Sequence, residues 1–259
     1  MSLDATTRDA LKAVSTATLT TLLLKRGLRN VWLRGPRPLQ AGQERVVGPA
    51  FTLRFVPMRE DLATPESWSS PRSTRAAIEA MPEGCIAVVD ALGVTDAGIF
   101  GDILCARMHR RGVAALVTDG ALRDVAGVGT TGLPVWCQGI AAPPSVAGLT
   151  FVGWQEPIAC GGVALFPDDV VGPAPPVAFH GDALVAVQCP DFRRIDLSEH
   201  FLISDFTCLF DFQREFDGEI ERLFEACQHV ELAGAGYVDL LRRNGVAFRL
   251  LGRAEACHA

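Results

Sequence analysis

The stretch GIFGDILCARMHRRGVAALVTDGALRD, from Gly98 to Asp124, holds more residues able to do chemistry together than any other part of the chain. Gly101 and Asp102 stand where a helix begins; Arg123 and Asp124 close the segment. The backbone N–H groups of a first helical turn lack intrahelical partners, so a carboxylate or phosphate docks there, and a glycine lets it approach closely. An arginine grips a substrate carboxylate through two parallel hydrogen bonds. The carboxylates of Asp102 and Asp124, with no cysteine or histidine partner, suit a hard divalent ion such as Mg²⁺, which takes one or two protein carboxylates and keeps several waters. Such an ion can polarise a keto oxygen and hold the negative charge of an enolate. A plainer reading also fits these residues: Asp102 as a helix cap, and Arg123–Asp124 as an ordinary neighbouring pair.

Positioning these groups requires a strand–helix–strand frame, and the flanking sequence predicts one. CIAVVDALG and VAALVTDG are short, almost wholly apolar runs of the kind that form buried strands, and LPVWCQG follows as another. Between the first two, DILCARMHRRG predicts a helix with Ile103, Leu104 and Met108 on its apolar side and Gly112 at its end. Asp119, Gly120, Arg123 and Asp124 then fall just beyond the end of a buried strand, where open α/β sheets form ligand crevices. Upstream, TTRDALKAV and STATLTTLLLKRG each offer a Ser/Thr helix start, with Gly27 as a C-terminal stop. RVVGPAFTLRFVP reads as a strand with a Gly-Pro irregularity near its start, and SPRSTRAAIEAMPEG as a helix closed by Pro82 and Gly84. The alternation predicts an α/β fold with its core between sheet and helices. After about Gly153 short strand-like pieces are broken by Gly and Pro. REFDGEIERLFEACQHVELAGAGYVDLLRRNG then reads as charged amphipathic helix and VAFRLLG as a last strand.

The totals exclude several function classes. A chain of 259 residues, 49% hydrophobic and 21% charged, has an ordinary globular core to bury. A formal net charge of −6 argues against a general nucleic-acid binder, which relies on clustered Lys and Arg. Arg107, Arg110 and Arg111 read as the solvated face of a helix. Trp32, Trp68, Trp136 and Trp154 do not interleave with basic residues as base-stacking platforms would, so packing is expected of them. No secretory leader or run of about 18 apolar residues is visible, so no membrane association is expected. The eight cysteines are dispersed and without a CxxC pair, so free thiols and a cytoplasmic location are expected.

The spacing Gly98, three residues, Asp102, twenty residues, Arg123-Asp124 resembles the hallmark of the RraA-like family. That family includes the divalent-metal-dependent 4-hydroxy-4-methyl-2-oxoglutarate aldolases. STATLTTLLLKRG, VVGPAFTL and VTDGALRDVAGV are similar to it as well, and the resemblance covers roughly Ala13 to Gly162. It implies a swivelling β/β/α sandwich in residues 1–165, followed by a divergent region, 166–259. There FPDDVVGPAPPVAFHGDALVAVQCP stands in place of the family's Asp-Gly-Val-Val core. It further implies that Asp124 ligates Mg²⁺ or Mn²⁺ and that Asp102 holds metal-bound water. Arg123 then pairs with a pyruvyl carboxylate and helps stabilise the enolate oxygen, and the amides around Gly101, Ile103 and Leu104 complete an anion seat. The implied activity is cleavage of 4-hydroxy-2-oxo acids to pyruvate and decarboxylation of oxaloacetate, in a homo-oligomer, commonly a trimer. The alternative implied by the same family is a non-catalytic regulator of ribonuclease E acting by protein contact. A lyase acting on a related keto acid, such as a sugar acid, is a third reading.

Other residues carry blander expectations. Family aldolases draw an acidic side chain from the neighbouring subunit's C-terminal region; Glu219 and Glu221 are formal candidates but read as a solvated helix face. Cys227 with His229, and Cys257 with His258, lack the second half of a soft-metal site. His109, beside arginines on an outer helix face, is not expected to be catalytic.

Overall fold

The computed structural model of the chain describes residues 3–173 and 184–187. The first helix, α1 (Ala5–Ala13), is capped by Asp4, whose side chain accepts from the Thr7 amide, rather than by a threonine. Asp at this position does the same work as Ser or Thr, two residues before the Thr6 start that the sequence reading gives. Helix α2 (Thr16–Lys25) starts on the expected Ser15 cap and stops at Gly27, whose φ of +85° turns the chain while Leu28 N–H returns to Leu23 O. Two short strands follow, β1 (Trp32–Leu33) and β2 (Arg37–Pro38), then the long β3 (Gly48–Pro57).

The expected alternation comes next. α3 (Thr74–Ala80) leads to β4 (Ile86–Asp90), α4 (Asp102–Arg110) to β5 (Ala115–Thr118), and β6 (Ala121–Leu122) with α5 (Val125–Thr130) to β7 (Val135–Cys137). The described residues end with β8 (Gly139–Ile140), β9 (Leu149–Trp154), the hairpin β10 (Ile158–Cys160) and β11 (Val163–Leu165), then β12 (Val170–Pro173) and β13 (Leu184–Val187). The amphipathic helix and last strand expected near the C-terminus, Glu219, Glu221 and the two Cys-His pairs lie outside the described residues.

Strands β3, β4, β5 and β7 run parallel as the centre of one sheet. Antiparallel strands flank them: β2 against β7, and β12 then β13 and β1 beyond the start of β3. The second half of β3 pairs instead with β9, and its irregularity falls at Arg54/Phe55 rather than at the Gly-Pro step. Parallel neighbours need crossovers, here supplied by α3, α4 and α5, and all three pack on one face.

Period-two alternation in the central strands separates the two cores. Ala87, Val89 and Leu116 meet Ile78, Met81, Cys105, Met108 and Val128 of the helices. Ile86, Val88, Ala115 and Val117 point the other way, onto Trp136 and the β10–β11 hairpin residues Ile158, Cys160, Val163 and Leu165. The result is an α/β sandwich with a second β layer, as the family resemblance implies. Leu11, Leu23, Val31, Val47 and Val170 form a smaller cluster under α1 and α2.

One assignment on α4 needs correction. Cys105 and Met108 are its buried residues and Leu104 packs against the same core, but Ile103 is 79% exposed. Ile103 and Met108 are five residues apart, hence about 140° apart around the axis, too far to share one stripe. Gly112 ends the helix as expected, with φ +74° and Val113 N–H returning to Met108 O. Of the three arginines, Arg107 makes a two-point contact with Glu79 of α3 (2.6 Å at both atoms), and Arg111 joins it at 3.1 Å. These residues clamp two helices together and are not a free basic surface.

Cys85, Cys105, Cys137 and Cys160 are free thiols in the core. Burial pushes Cys85 and Cys105 up to about 12 and Cys137 up to about 11, and it raises Cys160 well above the ordinary thiol value. The thiolate is the reactive form. We therefore expect these four to stay unlabelled by iodoacetamide at pH 8 in the native protein and to label fully in denaturant, as read by peptide mapping. Rapid native labelling of Cys105 would show that α4 opens and would contradict the packing described here.

Candidate functional site

The spacing of the Gly98–Asp124 motif has a structural cause. Residues 98–100 run parallel to residues 121–123: Gly98 bridges Ala121, Ile99 N–H donates to Ala121 O at 2.9 Å, and Arg123 N–H donates to Phe100 O at 2.9 Å. The intervening residues are what α4, its Gly112 stop and β5 consume before the chain returns. Two-residue advances along this short ladder set Gly101 beside Arg123 and Asp124. The approach is close enough that a Cβ on Gly98 would lie 2.8 Å from the Arg123 Cβ and 2.9 Å from its backbone nitrogen. A Cβ on Gly101 would lie 2.7 Å from Asp124 Oδ2.

Asp124 sits in the left-handed region, φ +53° and ψ +40°, at the residue before α5. Asp tolerates this conformation better than most residues with a Cβ, although at some cost in strain. Its carboxylate does not cap α5. It turns instead toward Arg123, whose Nε donates to Oδ2 at 2.9 Å, with the two side chains 47% and 37% exposed respectively. The Arg123 guanidinium thus spends its Nε–H on Asp124, and among the described residues its terminal amino groups have no hydrogen-bond partner. That fork is free for a ligand carboxylate.

Asp102 opens α4, with Gly101 before it providing no side-chain cap. Its Oδ1 accepts from the Ile103 amide at 2.8 Å, while Oδ2 lies toward Gly127 of α5, where a Cβ would come within 2.8 Å of it. The Ile103 amide is thus taken by the side chain before it, while the amides of Asp102 and Leu104 are first-turn donors without backbone acceptors inside the helix. A cavity of about 180 Å³ gathers Gly98, Gly101, Asp102, Ile103, Leu104, Arg123 and Asp124. Thus the sequence-picked residues share one hollow. A larger hollow lies elsewhere, between α1 and the loop before β3, and has none of these residues in its wall.

Some residues belong elsewhere, and others were missed. Asp119, past the end of β5, does not face the cavity; its carboxylate is buried, accepts from the Ala91 amide at 2.8 Å, and is pushed up in pKa by that burial. His109 is exposed and stands against Gly132, away from the cavity. Trp136 is core, and Trp154 stacks on Phe151, as packing residues should. Trp68, by contrast, lines the cavity together with Thr74, Arg75, Pro144 and Ser145. The only sequence signal for these is the Trp68–Arg75 proximity in SWSSPRSTR, which carries no spacing rule.

The donor set is compatible with a hard divalent cation. Among the described residues no group of three or more His, Cys, Asp or Glu could hold a metal, so a soft-metal cage is not what the site offers. It offers one exposed carboxylate, a second nearby, and room above a glycine, which matches an ion that keeps most of its water.

A model of the RraA-like family, described as Aldolase/RraA, matches residues 9–172. The chain belongs to the RraA-like family. Within it, a protein of Halalkalibacterium halodurans provisionally named 4-hydroxy-4-methyl-2-oxoglutarate aldolase is 34% identical over 129 residues, covering 49% of this chain and 55% of that one. Protein DlpA of Legionella pneumophila is 29% identical over 135 residues, 52% of this chain and 21% of that protein. The chain therefore spans about a fifth of one curated relative and about half of the other. Streptomyces coelicolor RraAS2, described as an unusual member of the RNase ES inhibitor RraA protein family, matches with a TM-score of 0.65 at 32% identity, over 83% of this chain and 98% of that one. The α/β architecture is thus the RraA fold. No helix among the described residues is long and apolar enough to cross a membrane.

Proposed function

We propose that this RraA-like protein is a divalent-metal-dependent carbon–carbon lyase. It cleaves 4-hydroxy-2-oxo acids of the 4-hydroxy-4-methyl-2-oxoglutarate type to pyruvate and decarboxylates oxaloacetate. The observation that carries this reading is the Arg123–Asp124 pair seated over Gly101 at the first turn of α4, in one cavity. Asp124 would hold Mg²⁺ or Mn²⁺, with Asp102 close by and water completing the coordination. The bound ion supplies a Lewis acid that draws electron density onto the keto oxygen and stabilises an enolate.

The chain's own residues do the rest. The free fork of Arg123 takes the C1 carboxylate and orients the C2 keto oxygen. First-turn amides of Asp102 and Leu104, aligned with the helix dipole, hold negative charge in place before it develops, which is usually the largest catalytic contribution, while the Ile103 amide holds Asp102 Oδ1. Asp102, through Oδ2, receives the C4 hydroxyl proton. The C3–C4 bond then breaks, its electron pair passes to the C2 oxygen as the pyruvate enolate, and protonation at C3 gives pyruvate. With oxaloacetate the same bond releases CO₂ and no hydroxyl proton needs removal. Core residues 1–165 carry all these groups; 166–259 is the divergent region, of which β12 and β13 extend the same sheet. Ile103, exposed at the cavity mouth, is an apolar surface that a neighbouring subunit of a trimer would cover. A cytoplasmic location accompanies this reading.

The match to RraAS2 favours a second reading, a regulator of ribonuclease E acting through protein contact without turnover. One experiment separates the two. Purified protein with Mg²⁺ is expected to release pyruvate from oxaloacetate or 4-hydroxy-4-methyl-2-oxoglutarate, and to stop when EDTA is added. Absence of turnover on both substrates, together with inhibition of ribonuclease E cleavage, would establish the regulator instead.

A further inference from the structure

We propose that Arg75, held over Trp68, is the anchor for a second carboxylate, so that the site selects 2-oxo acids carrying an acid group at the end remote from the keto acid. The inference rests on the 2-oxo acid reading of the same cavity and adds a residue to it that the motif does not contain.

The cavity is lined by two arginines on separate elements, Arg123 before α5 and Arg75 in α3. Their circumstances differ. Arg123 is charge-balanced by Asp124 at 2.9 Å. Arg75 has no carboxylate within ion-pair distance among the described residues; what positions it is the Trp68 ring, with the guanidinium carbon 5.8 Å from the ring centroid. A cation–π contact of this kind fixes the planar group while leaving its N–H donors unspent. Neighbouring arginines show the usual alternative: Arg107 and Arg111 are both taken up by Glu79.

The mounting is firm. Ser73 caps α3 by accepting from the Ala76 amide at 3.2 Å, and Ala77 and Ile78 of the same helix are fully buried in the core. Arg75 therefore projects from a fixed backbone, as a selectivity residue must.

Charge and size point to the same ligand class. Asp124, Arg123 and the ion that Asp124 would hold all serve the keto-acid end, so a carboxylate at the remote end needs a cation of its own. Arg75 supplies it. At about 180 Å³ the hollow is below the roughly 300 Å³ where drug-sized pockets begin, which suits a small dicarboxylate.

The test is calorimetric binding to the full-length protein with Mg²⁺. It compares 2-oxoglutarate with 2-oxopentanoate, which has the same five-carbon chain but a methyl group where the second carboxylate would be. Neither ligand has the 4-hydroxyl that cleavage requires. A charge-assisted two-point contact predicts that the wild type prefers 2-oxoglutarate by about tenfold or more. Arg75→Gln should erase that preference by weakening 2-oxoglutarate alone, and Arg75→Lys should restore part of it. Equal weakening of both ligands in Arg75→Gln, an unchanged preference, or no preference in the wild type would overturn the assignment. If the wild type binds neither ligand, the 2-oxo acid reading itself fails and the role of Arg75 falls with it.

Discussion

Replacing Asp124 with asparagine is expected to reduce pyruvate release from oxaloacetate by roughly a thousandfold or more, because the ion it would hold contributes several kcal/mol to charge stabilisation. Asparagine is the informative substitution. Asp124 lies at φ +53°, in the left-handed region, which Asn tolerates as Asp does. The carboxylate does not cap α5, so no helix-start hydrogen bond is lost with it. Asp124→Asn therefore keeps the backbone and the side-chain volume and removes only the charge and one acceptor oxygen. Asp124→Ala should lose as much activity but also pay about 1 kcal/mol of strain, which would confuse a loss of fold with a loss of chemistry. The accompanying measurement is thermal unfolding with and without Mg²⁺. The wild type should be stabilised by the ion, and Asp124→Asn should melt near the ion-free wild type at every concentration. Wild-type turnover in Asp124→Asn would remove the lyase assignment, since among the described residues no other carboxylate stands over Gly101.

How much of this was legible in the sequence follows from which forces are local. Strands β4 and β5 were readable because both of their faces are buried, which makes them unbroken apolar runs. Helix α2 was readable because its start and stop signals, Ser15 and Gly27, act within one turn. The motif was readable for a less local reason: a parallel ladder between residues 98–100 and 121–123 converts a contact in space into a fixed interval along the chain. Ile103 shows the limit of composition. An apolar residue at a helix start was assigned to the core, whereas its angular position puts it at the mouth of the cavity. Trp68 and Arg75 show a different limit. They reach the site through the packing of α3 on the sheet, and no interval from Gly98 to Asp124 encodes that distance. The layering of β10 and β11 beneath β4 was equally invisible, because their short apolar runs do not state which face they cover.

Gly101→Ala is the sharper test of the geometry, since it adds one methyl group and removes no functional atom. The backbone there, φ −124° and ψ −171°, is extended and open to any residue, so alanine adds no strain of its own. As the residue before α4, glycine is a better start than alanine by only about 1 kcal/mol or less, so the melting temperature should fall by a few degrees at most. The new Cβ, however, would lie 2.7 Å from Asp124 Oδ2 and within 3.5 Å of Arg123 Cγ and Nε. Both groups must move, and they are joined to each other by the 2.9 Å contact, so they move together. A displacement of about 1 Å in a preorganised site costs about a hundredfold in rate. We therefore expect a folded Gly101→Ala protein with turnover lowered by about a hundredfold and with weakened Mg²⁺ binding. The two losses should be linked, because one methyl group shifts the ion's carboxylate and the substrate's guanidinium at once. If Gly101→Ala retained both full turnover and wild-type Mg²⁺ affinity, the Asp124 carboxylate could not be working from its seat against the first turn of α4, and the cavity's chemistry would have to be assigned to other groups.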